Sequence, residues 1–214
     1  MTTALFSDKA KLLGDVGARQ ARISQLNEAH IGSLTAFVKA LRNEMGPEAG
    51  IPYFDPWDGG VRAELLYLLE APGAKAVQSG FISRNNPDET AKNFFELNRD
   101  ANIPRSLTLS WNIIPWYIGS KSRIRPANSR DISAGIIPLG RLLDLLPRLK
   151  AVVLLGKKAE KASKLISQIR PELQIFRSPH PSPLFVNNAP SNRQRILNVL
   201  VEARDYISTY RSAR

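Results

Sequence analysis

Leu65-Leu66-Tyr67-Leu68-Leu69, followed at once by Glu70-Ala71-Pro72-Gly73, is the stretch on which the fold turns. Five consecutive apolar residues are too few for a helix, and the Pro-Gly pair ends the run abruptly. The pattern fits a strand buried on both faces. Moving outward, Ser106 to Ile114 predicts a second strand, rich in β-branched and aromatic residues. Ala151 to Leu155 predicts a third, and Leu173 to Phe176 a fourth.

Helical patterns separate the strands. Asn86-Pro87-Asp88-Glu89 predicts a helix start, with Asn86 as cap, Pro87 at the first position and Glu89 closing a capping box; the helix runs to about Asn98. Ile132 to Leu146 is helical in period but interrupted by Pro138, and Lys158 to Gln168 and Arg193 to Arg211 complete the set. Ahead of the first strand, Ala18 to Met45 predicts one amphipathic helix stopped by Gly46-Pro47, and a Pro/Gly-rich loop to Gly60 follows. Strands alternating with helices, each strand apolar on both faces, imply an α/β protein with three α/β/α layers around a four-stranded parallel sheet. No repeat or linker divides the chain, so residues 1–214 are expected to form one domain.

Composition narrows the function. The 214 residues contain no cysteine, which excludes disulfides, iron–sulfur clusters, thiolate zinc sites and a cysteine nucleophile. With His30 and His180 as the only histidines, no metal or cofactor is called for. No apolar run approaches a membrane span, Met1 to Phe6 lacks a signal-peptide pattern, and a cytoplasmic location with no membrane partner is expected. The net charge is +11, and it is unevenly placed: residues 1–118 carry 12 basic and 13 acidic side chains, residues 119–214 carry 18 and 6. A basic C-terminal half favours a polyanionic partner, nucleic acid first.

In parallel sheets function gathers at the carboxyl ends of the strands. There the chain places Glu70-Ala71-Pro72-Gly73, then Trp111-Asn112 with Ile113 to Tyr117, then Ser178-Pro179-His180-Pro181-Ser182-Pro183-Leu184-Phe185. None is a phosphate-cradling glycine loop or a nucleophile elbow. An asparagine inside an apolar strand is costly unless paired, so Asn112 points to a purpose. Asp55 and Asp58, in the loop before the first strand, read as turn formers more readily than as pocket residues. Trp111, Trp116 and Tyr117 either line a channel or belong to the core.

Taken together and in this order, the Glu-Ala-Pro-Gly loop, the strand Asn and the His-Pro-Ser-Pro loop resemble the uracil-DNA glycosylase superfamily, over about Ala63 to Phe185. The first loop is similar to the iron–sulfur branch pattern Gly-Glu-x-Pro-Gly, with Leu69 for the first glycine. The cluster cysteines of that branch are absent, which implies a divergent, cysteine-free branch. The resemblance implies a monofunctional enzyme that needs no cofactor and hydrolyses the N-glycosidic bond of a uracil flipped out of DNA. By resemblance, His180 donates to uracil O2 as charge develops, and Asn112 reads O4 and N3–H. Phe81 is either the aromatic stacked on the base or a core phenylalanine. Ala71, Pro72 and Gly73 line the base; Ala71 stands where a water-orienting polar residue is found in the best-studied branch, and Gly73 where a tyrosine blocks thymine. Glu70 is then the candidate for activating water, beside the alternative that His180 electrostatics suffice. Ser182 and Pro183, with Arg177 and Arg193, are expected at phosphates, and Leu184 as the wedge filling the vacated stack. The expected partner is uracil-containing DNA, single- or double-stranded, bound by a monomer. Two alternatives remain: a non-catalytic module binding damaged or abasic DNA, and a glycosylase for xanthine or hypoxanthine.

Overall fold

The computed structural model describes residues 6–120 and 123–212. Of the N-terminal stretch read for a leader, Met1 to Leu5 lie outside them. The chain opens with α1 (Val16–Ser24) and α2 (Gly32–Met45), followed by β1 (Tyr53–Phe54), β2 (Leu65–Leu69), α3 (Ala74–Ser79), β3 (Phe81–Ile82), α4 (Glu89–Asp100) and β4 (Thr108–Asn112). A short antiparallel pair, β5 (Gly119–Ser120) and β6 (Arg123–Ile124), leads to α5 (Ser129–Asp144), β7 (Ala151–Leu155), α6 (Ser163–Ile169), β8 (Gln174–Ser178), α7 (Pro183–Val186) and α8 (Pro190–Ser212).

The central sheet is parallel, four-stranded and ordered β4-β2-β7-β8. Residue alternation along β2 sorts its two faces. Leu66 and Leu68, with Leu109, Trp111, Val152 and Leu154 of the flanking strands, pack against α2, α5 and α6. Leu65 and Tyr67, with Ala151, Val153 and Leu155, pack against Phe94 and Leu97 of α4 and Ile196, Leu200 and Ile207 of α8. Both faces of β2 and β7 are therefore dry, which is why these two strands read as unbroken apolar runs. Each Leu or Val among them contributes about 1.5–3 kcal/mol when fully buried. β8 is one of the two edge strands, and its exposed Gln174 and Arg177 face water.

Three expectations are corrected. The helix expected over Ala18 to Met45 is two helices, separated by turns at Gln25 to Ile31. The break frees the His30 carbonyl to accept from Val61 N–H at 2.9 Å, and the Leu26 carbonyl to accept from Thr35 Oγ1 at 2.7 Å. The cap of α4 is Asp88, whose side chain accepts from Ala91 N–H at 2.9 Å. Asn86 instead donates to the Phe81 carbonyl and accepts from Ser79 Oγ, so its amide serves a buried turn. Pro138 does not interrupt α5, because the carbonyl it leaves without an intrahelical donor belongs to the exposed Ala134. That helix starts on a complete capping box, Asn128 with Asp131.

Candidate active site

The last strand delivers His180. β8 ends at Ser178, whose carbonyl accepts from Gly156 N–H at 2.8 Å, and the chain then passes over the end of β7. Gly156 has φ +94°, and a Cβ there would lie 3.2 Å from His180 Cβ, so the histidine rests against bare backbone. From the other side Asn93 of α4 donates its Nδ2 to the Pro181 carbonyl at 3.1 Å. The Ser182 carbonyl accepts from the Phe185 and Val186 N–H groups and starts α7. Three elements thus hold one loop.

Burial pulls the His180 imidazole below its ordinary pKa, and the carboxylates of Glu70 and Asp88 oppose this without cancelling it. The ring is therefore neutral at pH 7, with one nitrogen a donor and the other an acceptor. Among the described residues no partner takes a hydrogen bond from it.

The second element is the β2–β4 pair. Leu69 is in register with Asn112, and the ladder continues past both strands through Ile113 N–H to the Leu69 carbonyl (2.8 Å) and Ile114 N–H to the Glu70 carbonyl (2.9 Å). Glu70 and Asn112 are fixed on adjacent strand ends, one position apart in register. Asn112 is 4% exposed, and among the described residues its amide makes no hydrogen bond. An amide so placed is a donor and acceptor pair awaiting a partner. Because strands alternate, Asn112 shares the α4 side of the sheet, while Trp111 points into the opposite core and stacks on Phe54 at 4.1 Å.

Glu70 Oε1 accepts from Ala127 N–H at 3.1 Å, and Lys158 Nζ donates to the Ala127 carbonyl at 2.7 Å. The segment entering α5 is thereby fastened to the ends of β2 and β7. Among the described residues Glu70 Oε2 has no hydrogen-bond partner, leaving one carboxylate oxygen for a water. After Glu70, Ala71 is half-buried, Pro72 buried and Gly73 exposed, with open space where a Gly73 Cβ would be. Gly73 starts α3.

Other expected residues fall into two groups. Leu184 on α7 is 87% exposed, a large apolar side chain offered to solvent beside His180. Ser182 and Pro183 are half-buried at the start of that helix, and Arg177 is exposed on β8. Phe81 is fully buried in β3, packed with Leu13, Leu26 and Tyr53, so it is a core residue of the β1–β3 pair. Arg193 forms an ion pair with Asp100 at the end of α4. An open cleft of about 450 Å³ beside His180 instead brings Arg195 and Lys157 next to Arg177. Arg195 stands out in the sequence only as a basic residue flanking the His180 loop, together with Arg177 and Arg193, and Lys157 does not stand out at all. Asp88 and Asn93 lay in a recognisable helix start, but nothing local told that this helix abuts the histidine loop.

Asp55 and Asp58 lie at the opposite end of the sheet. Gly59 N–H donates to the carbonyl of Thr108, the first residue of β4. Asn112 ends that strand about 13 Å away. Asp55 accepts from Trp57 N–H at 2.9 Å, as a turn former does, but it also receives Arg22 at 2.7 Å and Arg105 at 2.6 Å. Burial works to raise the Asp55 pKa, and the guanidinium groups of Arg105 and Arg22 outweigh it and hold the carboxylate ionised. Asp58 meets Arg105 at 2.8 Å, yet burial pushes it up to about 6. This is a structural lock, remote from His180.

Among the described residues no group of three or more His, Asp or Glu side chains is placed to hold a metal ion, and no helix is long and apolar enough to cross a membrane. No curated protein gives a significant match to the sequence. The family model described as Uracil DNA glycosylase superfamily matches residues 48–202, from the start of the Pro/Gly-rich loop to the middle of α8, and takes in Glu70, Asn112 and the His180 loop. The chain belongs to the uracil-DNA glycosylase superfamily, a group of DNA glycosylases.

Proposed function

We propose that the protein excises uracil from DNA, hydrolysing the bond between deoxyribose C1′ and uracil N1 to leave an abasic site. The observation that carries this reading is a pair of unsatisfied polar groups on strand ends: the neutral His180 ring and the Asn112 amide. When the glycosidic bond breaks, its electron pair passes to the uracil ring and charge accumulates on O2. A donor already aimed there in a low-dielectric cleft lowers the barrier without reorganising. The cationic sugar left behind takes a water at C1′. That water loses one proton, to Glu70 Oε2 or to solvent, and the uracil anion gains one.

Asn112 supplies the choice of base. Its N–H₂ donates to O4 and its oxygen accepts from N3–H, whereas cytosine presents an amino donor and a bare N3. A site built around such a pair rejects the mismatched base strongly, because both buried groups would go unpaired. Leu184 fills the gap left in the duplex, and the basic half of the chain meets phosphates through Arg177 and its neighbours.

The test is incubation with uracil-containing single- and double-stranded oligonucleotides, followed by alkaline cleavage of abasic sites. Strand breaks are expected from wild type. His180→Ala should lose about 10²–10³ in rate, the scale of one lost transition-state donor. Glu70→Gln should lose rate only if that carboxylate takes the proton, and Asn112→Asp should lose uracil activity. Absence of breaks from both substrates would refute the reading and favour a binding module, which the apolar Ala71 would suit. Breaks at xanthine or hypoxanthine alone would instead assign the open space at Gly73 to a larger base.

A further inference from the structure

The cleft of about 450 Å³ beside His180 is walled by Gly156, Arg177, Phe185 and Arg195, on the β8 side of the histidine. Asn112 and Glu70 belong to the ends of β4 and β2 on the other side, so this space is separate from the one that would hold the flipped base. Its chemistry is specific. Phe185 supplies an apolar wall, and the Arg195 guanidinium lies over its ring, 5.6 Å from the centroid. Lys157 and Arg177 stand at the rim, while Glu160, which also lines the cleft, pairs with Lys157 at 3.2 Å.

An aromatic wall capped by a planar cation, with further cations at the rim, is what a nucleotide requires: a flat surface for the base and positive charge for its phosphate. The cleft shares His180 with the base site and lies in the basic half of the chain. Resting on the reading of DNA as substrate, we propose that this cleft binds the nucleotide adjacent to the flipped one, on the same strand. Its base lies against the Arg195–Phe185 pair, and its phosphate is met by Arg177 and Lys157. The protein then reads a two-nucleotide unit, and its substrate is best presented where the neighbouring base is free to leave its own stack, as in single-stranded DNA.

The experiment uses the full chain and single-stranded oligonucleotides with a central tetrahydrofuran residue, a stable abasic analogue. A second tetrahydrofuran replaces the nucleotide on the 5′ side, on the 3′ side, or on neither. Dissociation constants are measured by fluorescence anisotropy at low and moderate salt. Removing the base on one side should weaken wild-type binding about tenfold, the scale of one base–side-chain stack. Removing it on the other side should change little. Arg195→Lys keeps the charge and loses the plane, so its salt dependence should be preserved while its sensitivity to the neighbouring base disappears. Phe185→Leu should behave the same way.

Equal binding of all three oligonucleotides by wild type overturns the proposal. So does an Arg195→Lys variant that retains the full base effect. The excision assay separates this inference from the one beneath it. One-sided, Arg195-dependent binding without any excision would refute the glycosylase reading and leave the subsite standing; excision with no neighbour effect would do the reverse.

Discussion

Gly156→Ala perturbs the site through a single methyl group. Gly156 has φ +94°, and the added Cβ would lie 3.2 Å from His180 Cβ, 3.7 Å from Cδ2 and 3.8 Å from Cγ. The left-handed backbone costs a side chain about 1–2 kcal/mol. Carbon atoms prefer separations near 3.5–4.0 Å, so His180 must also retreat by a few tenths of an ångström. It cannot slide as a unit, because Asn93 holds the Pro181 carbonyl and Gly156 N–H holds the Ser178 carbonyl. Displacement of an ångström at a reacting centre costs about 10²-fold, so a few tenths of that predicts a loss of about three- to fivefold. Gly80→Ala is the control: φ is +83° and ψ 4°, in the left-handed region, yet nothing lies within 4 Å of the added methyl. Both variants should lose similar stability in urea, and only Gly156→Ala should slow single-turnover excision, measured at a temperature where both are folded. Equal rates for the two variants would refute the claim that bare backbone at Gly156 sets the position of His180.

Four further outcomes are expected. Asn93→Ala should lower kcat severalfold with little change in KM, and Asn93→Asp should not restore it, since a carboxylate cannot donate to the Pro181 carbonyl; an unchanged kcat would remove Asn93 from the positioning of the loop. Because burial holds the His180 pKa below the ordinary value of about 6.5, the pH–rate profile should stay flat through that value and fall only at lower pH. The same sign applies to stability: the unfolded chain takes up the proton first, so His180 lowers stability as pH drops below about 6.5. Arg105→Ala should cost about 3–5 kcal/mol in urea unfolding, since it removes the cation paired with the buried Asp58 and leaves Asp55 with Arg22 alone; a loss under about 1 kcal/mol would contradict the lock. Leu184→Ala should leave stability within about 0.5 kcal/mol and reduce excision from double-stranded more than from single-stranded substrate.

The strands of the sheet were legible because both their faces are dry: Leu65–Leu69 and Ala151–Leu155 match the sequence reading residue for residue. The edge strand β8 was less so, since Gln174 and Arg177 face water and blur its ends. The break between α1 and α2 was hidden, because the periodicity continues while the reason for the break, Val61 reaching the His30 carbonyl, lies far downstream in the chain. In the site, His180, Glu70 and Asn112 could be picked out by their loops and their order. What could not be read was partnership across the fold. Arg193 and Arg195 look alike in sequence, yet one pairs with Asp100 and the other caps Phe185. Phe81 follows a glycine in a plausible place for a base stack, and only the β1–β3 pairing shows it committed to the core.

The lock formed by Arg22, Asp55 and Arg105 sits at the amino ends of the strands, with the site loops at the carboxyl ends. Substitutions separated by more than about 7–10 Å and sharing no partners act nearly independently on stability. The loops carrying Ala71, Gly73 and Leu184 can therefore accumulate change while the anchoring of the sheet stays intact. For a lineage faced with new kinds of base damage, that separation is a licence to vary: the pocket can be rebuilt one residue at a time without drawing on the lock that anchors the sheet.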